Sequence, residues 1–282
     1  MRADRWLPWA VRGAWGLLPL VCGGALAEWA GRLDDPARVT AASGLLWLGW
    51  AVVALATAAP LPVGLTVLRL GTAAGVAVCA ATASPTVAFA IAALALSFRH
   101  EIAEWYVNGP AYPNERRFPL AVPTAVVLGP LWLAGAAAVV LPAASVLAFA
   151  GRAWGWGAAL AVVGTPAAFV GARALHGLSR RWLVFVPAGV VLHDPLSIVD
   201  PVLFPRAMIE SLRAAPADSD SLDLTLGSRG LALELVLNEK VPMVRRSRGG
   251  GETGASARLL FTPTRPGRVL REAERRRVPI GA

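Results

Sequence analysis

Six long apolar stretches occupy most of the first 178 residues, and they constrain this chain more than any other feature. They cover about residues 9–27, 41–59, 63–83, 85–98, 119–141 and 154–175. A bilayer core about 30 Å thick needs about 20 apolar residues in a helix. The pattern therefore predicts an α-helical polytopic membrane bundle of about six transmembrane helices, with 85–98 as the shortest. Pro123, Pro130 and Pro166 predict kinks within these helices rather than breaks.

Charged residues divide the chain into two parts. Residues 1–178 carry 11 arginines and 7 acidic residues, whereas the shorter remainder carries 16 basic and 11 acidic residues. With 56% hydrophobic residues overall, this distribution excludes a single soluble core, a disulfide-stapled secreted domain and a disordered tail protein. We predict a transmembrane helical domain over 1–178 and a small cytosolic α+β domain, rich in β-strand and ending in a helix, over 179–282.

Arginines in the short loops predict the orientation of the chain. With six spans, most of the loop arginines fall on one side: Arg2, Arg5, Arg12, Arg99, Arg116, Arg117, Arg180 and Arg181. The first loop, on the other side, leans acidic, with Glu28, Asp34 and Asp35 against Arg32 and Arg38. We therefore predict a multi-pass protein of the cytoplasmic (inner) membrane with both termini in the cytoplasm. Tryptophans near the ends of the spans, Trp182 among them, are typical of interfacial aromatic belts.

From Trp182 onward the hydrophobic periodicity becomes that of β-strands. Residues 182–187 and 190–194 predict two strands joined by a turn, and alternating leucines at 222–226 and 231–237 predict a further antiparallel pair. A strand at 257–262 follows residues 248–256, which predict a disordered hairpin loop. A helix is predicted from Pro266 to about Arg277. We expect residues 181–282 expressed alone to be soluble, with mixed strand and helix content.

This order of elements resembles the pleckstrin-homology-like domain of certain bacterial membrane proteins. The local similarity lies in Val190-Val-Leu-His-Asp194, Val202-Leu-Phe-Pro-Arg206 and Ala207-Met-Ile-Glu-Ser-Leu212, which look like the second strand, third strand and following segment of such domains. The resemblance covers about residues 181–278 and implies a small β-rich interaction domain. Because a compact basic loop between the first two strands is absent, it does not imply phosphoinositide binding.

The terminal helix supplies the candidate binding residues. Arg268, Arg271 and Arg275 fall on one face and Arg265 precedes them, while Val269, Leu270 and Ala273 form the other face. Two interpretations stay open, a solvated face of a capping helix or a contact with an anionic membrane surface.

The loop at 98–117 is the densest polar stretch of the membrane part. His100 and Glu104 share a helix face and could supply two metal ligands, but Arg99 repels a cation. The simpler interpretation is an interfacial helix end, and the loop could also dock the cytosolic domain through Arg116 and Arg117. We predict no metal site.

The sequence favours a binding protein over an enzyme. It contains no Ser/His/Asp grouping, phosphate-cradling glycine loop or paired membrane carboxylates, so we predict neither catalytic residues nor a cofactor. The predicted function is that of a non-enzymatic integral membrane protein whose cytosolic domain binds a protein or lipid partner, and not nucleic acid. The alternative is a transport component or an envelope-lipid-modifying enzyme. Because the central parts of the spans lack ionisable groups, a conventional coupled transporter is disfavoured.

Overall fold

The computed structural model describes residues 3–247 and 249–281, so Arg2 and Arg248 lie outside the described residues. The chain forms two compact units. The helical unit contains the residues up to Gly109 together with Leu131–His176, and the β unit contains Pro110–Pro130 with the residues from Gly177 onward. The chain therefore enters the β unit twice.

The described residues form nine α-helices. They are α1 (Ala3–Gly31), α2 (Pro36–Ala58), α3 (Pro62–Ala81), α4 (Val87–Ser97), α5 (His100–Asn108), α6 (Thr124–Leu128), α7 (Pro130–Ala150), α8 (Trp154–Leu178) and α9 (Pro266–Arg275). Five of them, α1, α2, α3, α7 and α8, are long and apolar enough to cross a membrane, whereas α4 has only 11 residues. These helices indicate a multi-pass membrane protein.

The long helices leave large apolar side chains uncovered. Leu20 is 81% exposed, Leu133 is 74% exposed and Val162 is 74% exposed. Soluble monomers rarely expose wide apolar patches, because water contact with apolar surface is unfavourable. Exposure of this kind is expected for helix faces that contact lipid.

The fifth apolar stretch does not fold as predicted. Residues 116–129 form a short strand and α6, and the long helix begins only at Pro130. Proline fixes φ and lacks an N–H, so it suits the first helical position better than the interior. The predicted kink at Pro130 is therefore a helix start, whereas Pro166 lies inside α8 as predicted. Pro142, which follows the predicted end of the fifth stretch, lies inside α7.

Three glycines spaced seven residues apart allow α7 and α8 to pack closely. A Cβ added to Gly157 would lie 2.6 Å from the Phe149 ring, and one added to Gly171 would lie 2.6 Å from the Ala134 carbonyl oxygen. At Gly164 the nearest atom would be Leu141 Cβ, at 2.9 Å. Small residues are common where membrane helices approach closely.

Arg12 joins three helices at one end of the helical unit. Its Nε donates to the Thr57 carbonyl oxygen over 2.9 Å, and its Nη2 donates to that of Ala58 over 3.3 Å. The guanidinium also lies over the rings of Trp9 and Trp105. A cation is favourable at the C-terminus of a helix such as α2, where carbonyl groups lack partners.

The β unit contains two sheets. Their strands are β1 (Arg116–Pro119), β2 (Trp182–Val186), β3 (Gly189–His193), β4 (Val202–Pro205), β5 (Ile209–Ala214), β6 (Leu222–Asp223), β7 (Leu233–Ser247) and β8 (Gly250–Phe261). The first sheet has the order β1-β2-β3-β4 and is antiparallel throughout. The second has the order β5-β7-β8-β6. The predicted strand pair at 182–194 is confirmed as β2 and β3. Arg116 and Arg117 of the 98–117 loop lie in β1, which pairs with β2 through its backbone, and Arg117 forms an ion pair with Glu115.

Two strand predictions are wrong. Residues 222–237 do not form a hairpin, because β6 pairs in parallel with β8 while β7 pairs with β5 and β8. Residues 250–256 of the predicted disordered loop belong to β8, which begins three residues after the end of β7. A hairpin with so short a connection has a low closure cost, and it offers β7 a partner along nearly its whole length.

The core of the β unit lies between the two sheets and α9. Phe118 and Leu120 from the β1 segment are 3% and 4% exposed, and α9 contributes Val269 and Ala273. β1 pairs with β2 along one edge, while along the other edge Ala121 N–H donates to the Thr262 carbonyl oxygen over 2.8 Å. β1 therefore lies between β2 and the end of β8.

Trp182 is not an interfacial belt residue. It is 8% exposed and stacks on the His193 imidazole with ring centroids 4.9 Å apart. Trp9 and Trp154 are 68% and 65% exposed at helix ends, as a belt requires.

Candidate functional site

Helix α9 places the candidate arginines on the side away from the core. Its residues Val269 and Ala273 are fully buried. At 100° per residue, Arg268, Arg271 and Arg275 lie on roughly the opposite face. Arg265 stands at the N-cap position, half-buried, and does not cap through its side chain. The structure therefore brings three of the four predicted residues together on one face.

Acidic residues in α9 offset part of this positive charge. Glu272 accepts from Arg275 Nη1 over 3.3 Å and from Arg276 Nε over 2.8 Å. Arg276 Nη1 also donates to the Asn114 carbonyl oxygen over 2.9 Å. Arg271 and Arg275 are exposed, whereas Arg268 is half-buried and makes further interactions. Arg271 and Arg275 are therefore the best placed of the four to meet an external anion.

A deeply buried ion pair of the β unit joins Arg181 and Asp194. Arg181 Nε and Nη2 donate to the two Asp194 carboxylate oxygens over 2.8 Å each, and the side chains are 2% and 0% exposed. Arg181 Nη1 donates to the Ala121 carbonyl oxygen over 2.6 Å. The sequence interpretation treated Arg181 as a loop charge, because nothing local indicates which residues will cover it.

Two other titratable groups of the β unit have structural roles. Burial alone would raise the pKa of Glu234, but hydrogen bonds from Ser221, Ser219 and Arg213 outweigh it and lower that pKa to about 2. Burial lowers the pKa of His193, which holds the Arg180 carbonyl oxygen at 2.6 Å from Nδ1. Both side chains are occupied within the fold, so neither is a candidate acid or base.

A second polar locus lies in the helical unit, where α4 ends and α5 begins. The Thr72 and Ser97 hydroxyl oxygens are 3.1 Å apart and both side chains are buried. Next to them the Arg69 guanidinium carbon lies 5.0 Å from the centroid of the Phe98 ring. Nothing local in the sequence connects Arg69 with Phe98, which lies 29 residues further along the chain.

No metal centre emerges from the described residues. Among residues 3–247 and 249–281, no three His, Cys, Asp or Glu side chains are grouped so that they could hold a metal ion. A groove of about 250 Å³ opens between α2 and α3. Its lining residues are all apolar: Val52, Leu55, Ala56, Ala59, Leu61, Val63, Gly64 and Val67. Such a groove does not favour a transporter or an enzyme for polar substrates.

Comparisons with known proteins identify no relative of this chain. The chain matches no protein-family model, no curated protein and no solved structure.

Proposed function

We propose that this chain is a non-enzymatic protein of the cytoplasmic membrane whose β unit lies in the cytoplasm and binds an anionic partner through α9. The observation that carries the proposal is the division of α9 into two faces. Val269 and Ala273 are buried in the core, while Arg271 and Arg275 on the opposite side are exposed. Because anionic lipid headgroups attract clustered basic residues, the membrane surface is the first candidate partner and an acidic protein surface the second.

We further propose that the β unit has a pleckstrin-homology-like fold. Its support is the order of elements, with a four-stranded antiparallel sheet, then the β5, β7 and β8 strands of a second sheet, then a helix that packs into the core. In this proposal the first strand is β1, and α7 with α8 forms an insertion between strands one and two. Residues 189–193 then become the third strand instead of the second.

Six membrane crossings are proposed, with α4 and α5 together as the fourth. Contacts along α4 and α5 support this: Thr86 lies beside Cys22, Ser97 beside Thr72, and Tyr106 beside Gly64 near the start of α3. The broken helix therefore runs back along the length of α3. Pairing of β1 with β2 also requires α7 and α8 to leave and return on the same side of the membrane.

Cysteine labelling tests this topology. We expect single cysteines at Asp34 and Arg152 to react with a membrane-impermeant maleimide in intact cells, and cysteines at Tyr112 and Arg271 to react only after lysis. All four positions are exposed, and the native Cys22 and Cys79 are buried. If Asp34 and Tyr112 were protected together, α4 and α5 would not cross the membrane.

Liposome flotation tests the role of α9. The soluble probe joins residues 110–123 to 179–282 through a short Gly/Ser linker. Each Lys or Arg near an anionic surface contributes on the order of 1 kcal/mol, so Arg268→Gln, Arg271→Gln and Arg275→Gln together should weaken binding to anionic vesicles roughly a hundredfold. Binding should also weaken as salt shortens the Debye length.

A charge-matched variant is the control for flotation. Arg206→Gln, Arg229→Gln and Arg258→Gln remove the same charge from exposed positions elsewhere in the β unit. We expect this variant to float nearly as well as the parent. Equal losses for both triple variants, or no flotation of the parent at low salt, would assign the α9 arginines to a solvated face.

A further inference from the structure

The two cysteines of the chain meet inside the helical unit. Cys22 of α1 and Cys79 of α3 are free thiols in this structure, with 0% and 1% of their surfaces exposed. Their thiol groups are in hydrogen-bond contact with each other. The Cys22 thiol also donates to the Thr86 carbonyl oxygen over 3.5 Å. The fold therefore brings together two nucleophilic side chains that 56 residues separate in the sequence.

The packing of α1 on α3 places the two thiols at the same level. A Cβ added to Gly75 would lie 3.5 Å from the Trp15 ring and 3.9 Å from Leu18 Cδ1. Cys22 follows Leu18 by four residues, and Cys79 follows Gly75 by four residues, about one helical turn in each case. The two helices therefore run in the same direction here, and successive turns of one face successive turns of the other.

This arrangement suits a disulfide. A disulfide needs Cα atoms about 4.4–6.8 Å apart and Cβ atoms that point toward each other. Because the sulfur of cysteine lies only one bond beyond Cβ, thiols in contact already satisfy the second condition and come close to the first. Burial as two small apolar side chains explains each cysteine separately, but it does not require them to touch.

The pair lies at the end of the helical unit that the proposed topology places outside the cytoplasm. Cys79 precedes the end of α3 by two residues, about 3 Å along the helix. The turn that follows contains the polar residues Thr82, Ser84 and Thr86. Disulfides persist on the extracytoplasmic side of a membrane, whereas the cytoplasm keeps thiols reduced. The inference rests on the proposed topology at this step alone.

We propose that Cys22 and Cys79 are oxidised in the cell to a disulfide that joins α1 to α3. The oxidant is a disulfide of the thiol-oxidising proteins on the extracytoplasmic side. One cysteine thiolate attacks that disulfide and forms a mixed disulfide, and the second thiolate then displaces the oxidant's remaining sulfur. The oxidant gains two electrons and takes up the two protons that the cysteines lose, so it ends as two thiols. Since buried cysteines are inert, the exchange takes place before the helices close over the pair.

The cross-link is expected to stabilise the helical unit. It closes a loop that contains the whole of α2, and it thereby restricts the unfolded chain. For a protein of this size, such a restriction corresponds to a rise of about 5–15 °C in melting temperature.

The test counts free thiols on the full chain taken directly from cells. The cells are quenched in acid, the chain is denatured, and a polyethylene glycol maleimide is added before or after reduction. We expect no adduct before reduction and two adducts after it, because the chain has two cysteines. The unreduced chain should also be two hydrogen atoms lighter by intact mass spectrometry. In detergent, reduction should lower the melting temperature by about 5–15 °C.

Two variants are the controls for this count. Cys79→Ala should give one adduct with or without reduction, and reductant should leave its melting temperature unchanged. Leu18→Cys combined with Cys22→Ala moves the first thiol one turn back along α1, toward Gly75. A thiol one helical turn away is beyond the reach of a disulfide, so this variant should give two adducts without reduction.

Two free thiols per parent chain in quenched cells would overturn the proposal, and so would a disulfide that joins two chains. Neither result depends on the folding of a variant. A glutathione redox buffer, applied to the purified chain near its melting temperature, then identifies the cause. An internal disulfide formed by the parent but not by the Leu18→Cys variant would assign the failure to the compartment and thus to the topology, which cysteine labelling tests independently. No disulfide in that buffer would assign it to the geometry of the pair.

Discussion

Arg181→Met should destabilise the β unit by about 3–5 kcal/mol, because it leaves the Asp194 carboxylate buried without its ion-pair partner. Asp194 is fully buried, and Arg181 supplies both of the hydrogen bonds that its two oxygens receive from a cation. The change also frees the Ala121 carbonyl oxygen, which Arg181 Nη1 holds. The measurement is urea-dependent proteolysis of the full chain in detergent, read from fragments of β7 and β8.

The neighbouring Arg180 is the matched control. It is exposed, and the contact that its backbone carbonyl makes with His193 does not depend on its side chain. Arg180→Met should therefore change the free energy of unfolding by less than about 0.5 kcal/mol. Arg181→Met combined with Asp194→Leu should recover much of the loss, because an apolar pair can replace a buried ion pair. No recovery in the double variant would assign the loss to packing or to Ala121 instead.

Residues 179–282 expressed alone should fail to unfold cooperatively, which revises the expectation from sequence for 181–282. The fragment lacks β1, and with it Phe118 and Leu120. Full burial of each such side chain contributes about 1.5–3 kcal/mol, so roughly 3–6 kcal/mol is lost. That loss is comparable with the whole stability of a typical domain. Circular dichroism with thermal and urea denaturation measures the outcome.

Joining residues 110–123 to 179–282 with a short Gly/Ser linker should restore the cooperative transition. The linker can be short, because Pro119 pairs directly with Trp182 and Leu120 N–H donates to the Arg181 carbonyl oxygen. Phe118→Ala in this fusion should cost about 3–5 kcal/mol. A cooperative transition of similar midpoint in 179–282 alone would show that β1 is dispensable for folding.

Local patterns in the sequence determined several parts of this structure. Continuous apolar stretches indicated four of the five long helices to within about six residues, and two short apolar runs joined by a turn indicated β2 and β3. The Pro266 start and the two faces of α9 were also correct, because capping and amphipathic spacing depend on residues within a few positions of each other. These features follow from the chain's own local geometry.

Other parts depended on residues far apart in the chain. The apolar residues 118–120 fit a membrane helix and a buried strand equally well, and only the pairing of β1 with β2 across 62 intervening residues decided between them. The fourth apolar stretch, at residues 85–98, is too short to cross a membrane by itself. The polar α5 that follows it is recognised as part of the bundle only through tertiary contacts, such as Tyr106 beside Gly64 of α3.

The roles of the arginines also depend partly on local sequence and partly on residues far apart in the chain. Their count in the loops determined the predicted orientation, since that rule depends on charge alone. Arg12 at the end of α2, Arg181 on Asp194 and Arg69 beside Phe98 acquire their separate roles only from neighbours supplied by other elements. The sequence determined where the chain meets lipid and where it meets water, because hydrophobicity is a property of each segment. Tertiary structure alone decided which charges are buried and which remain available to bind.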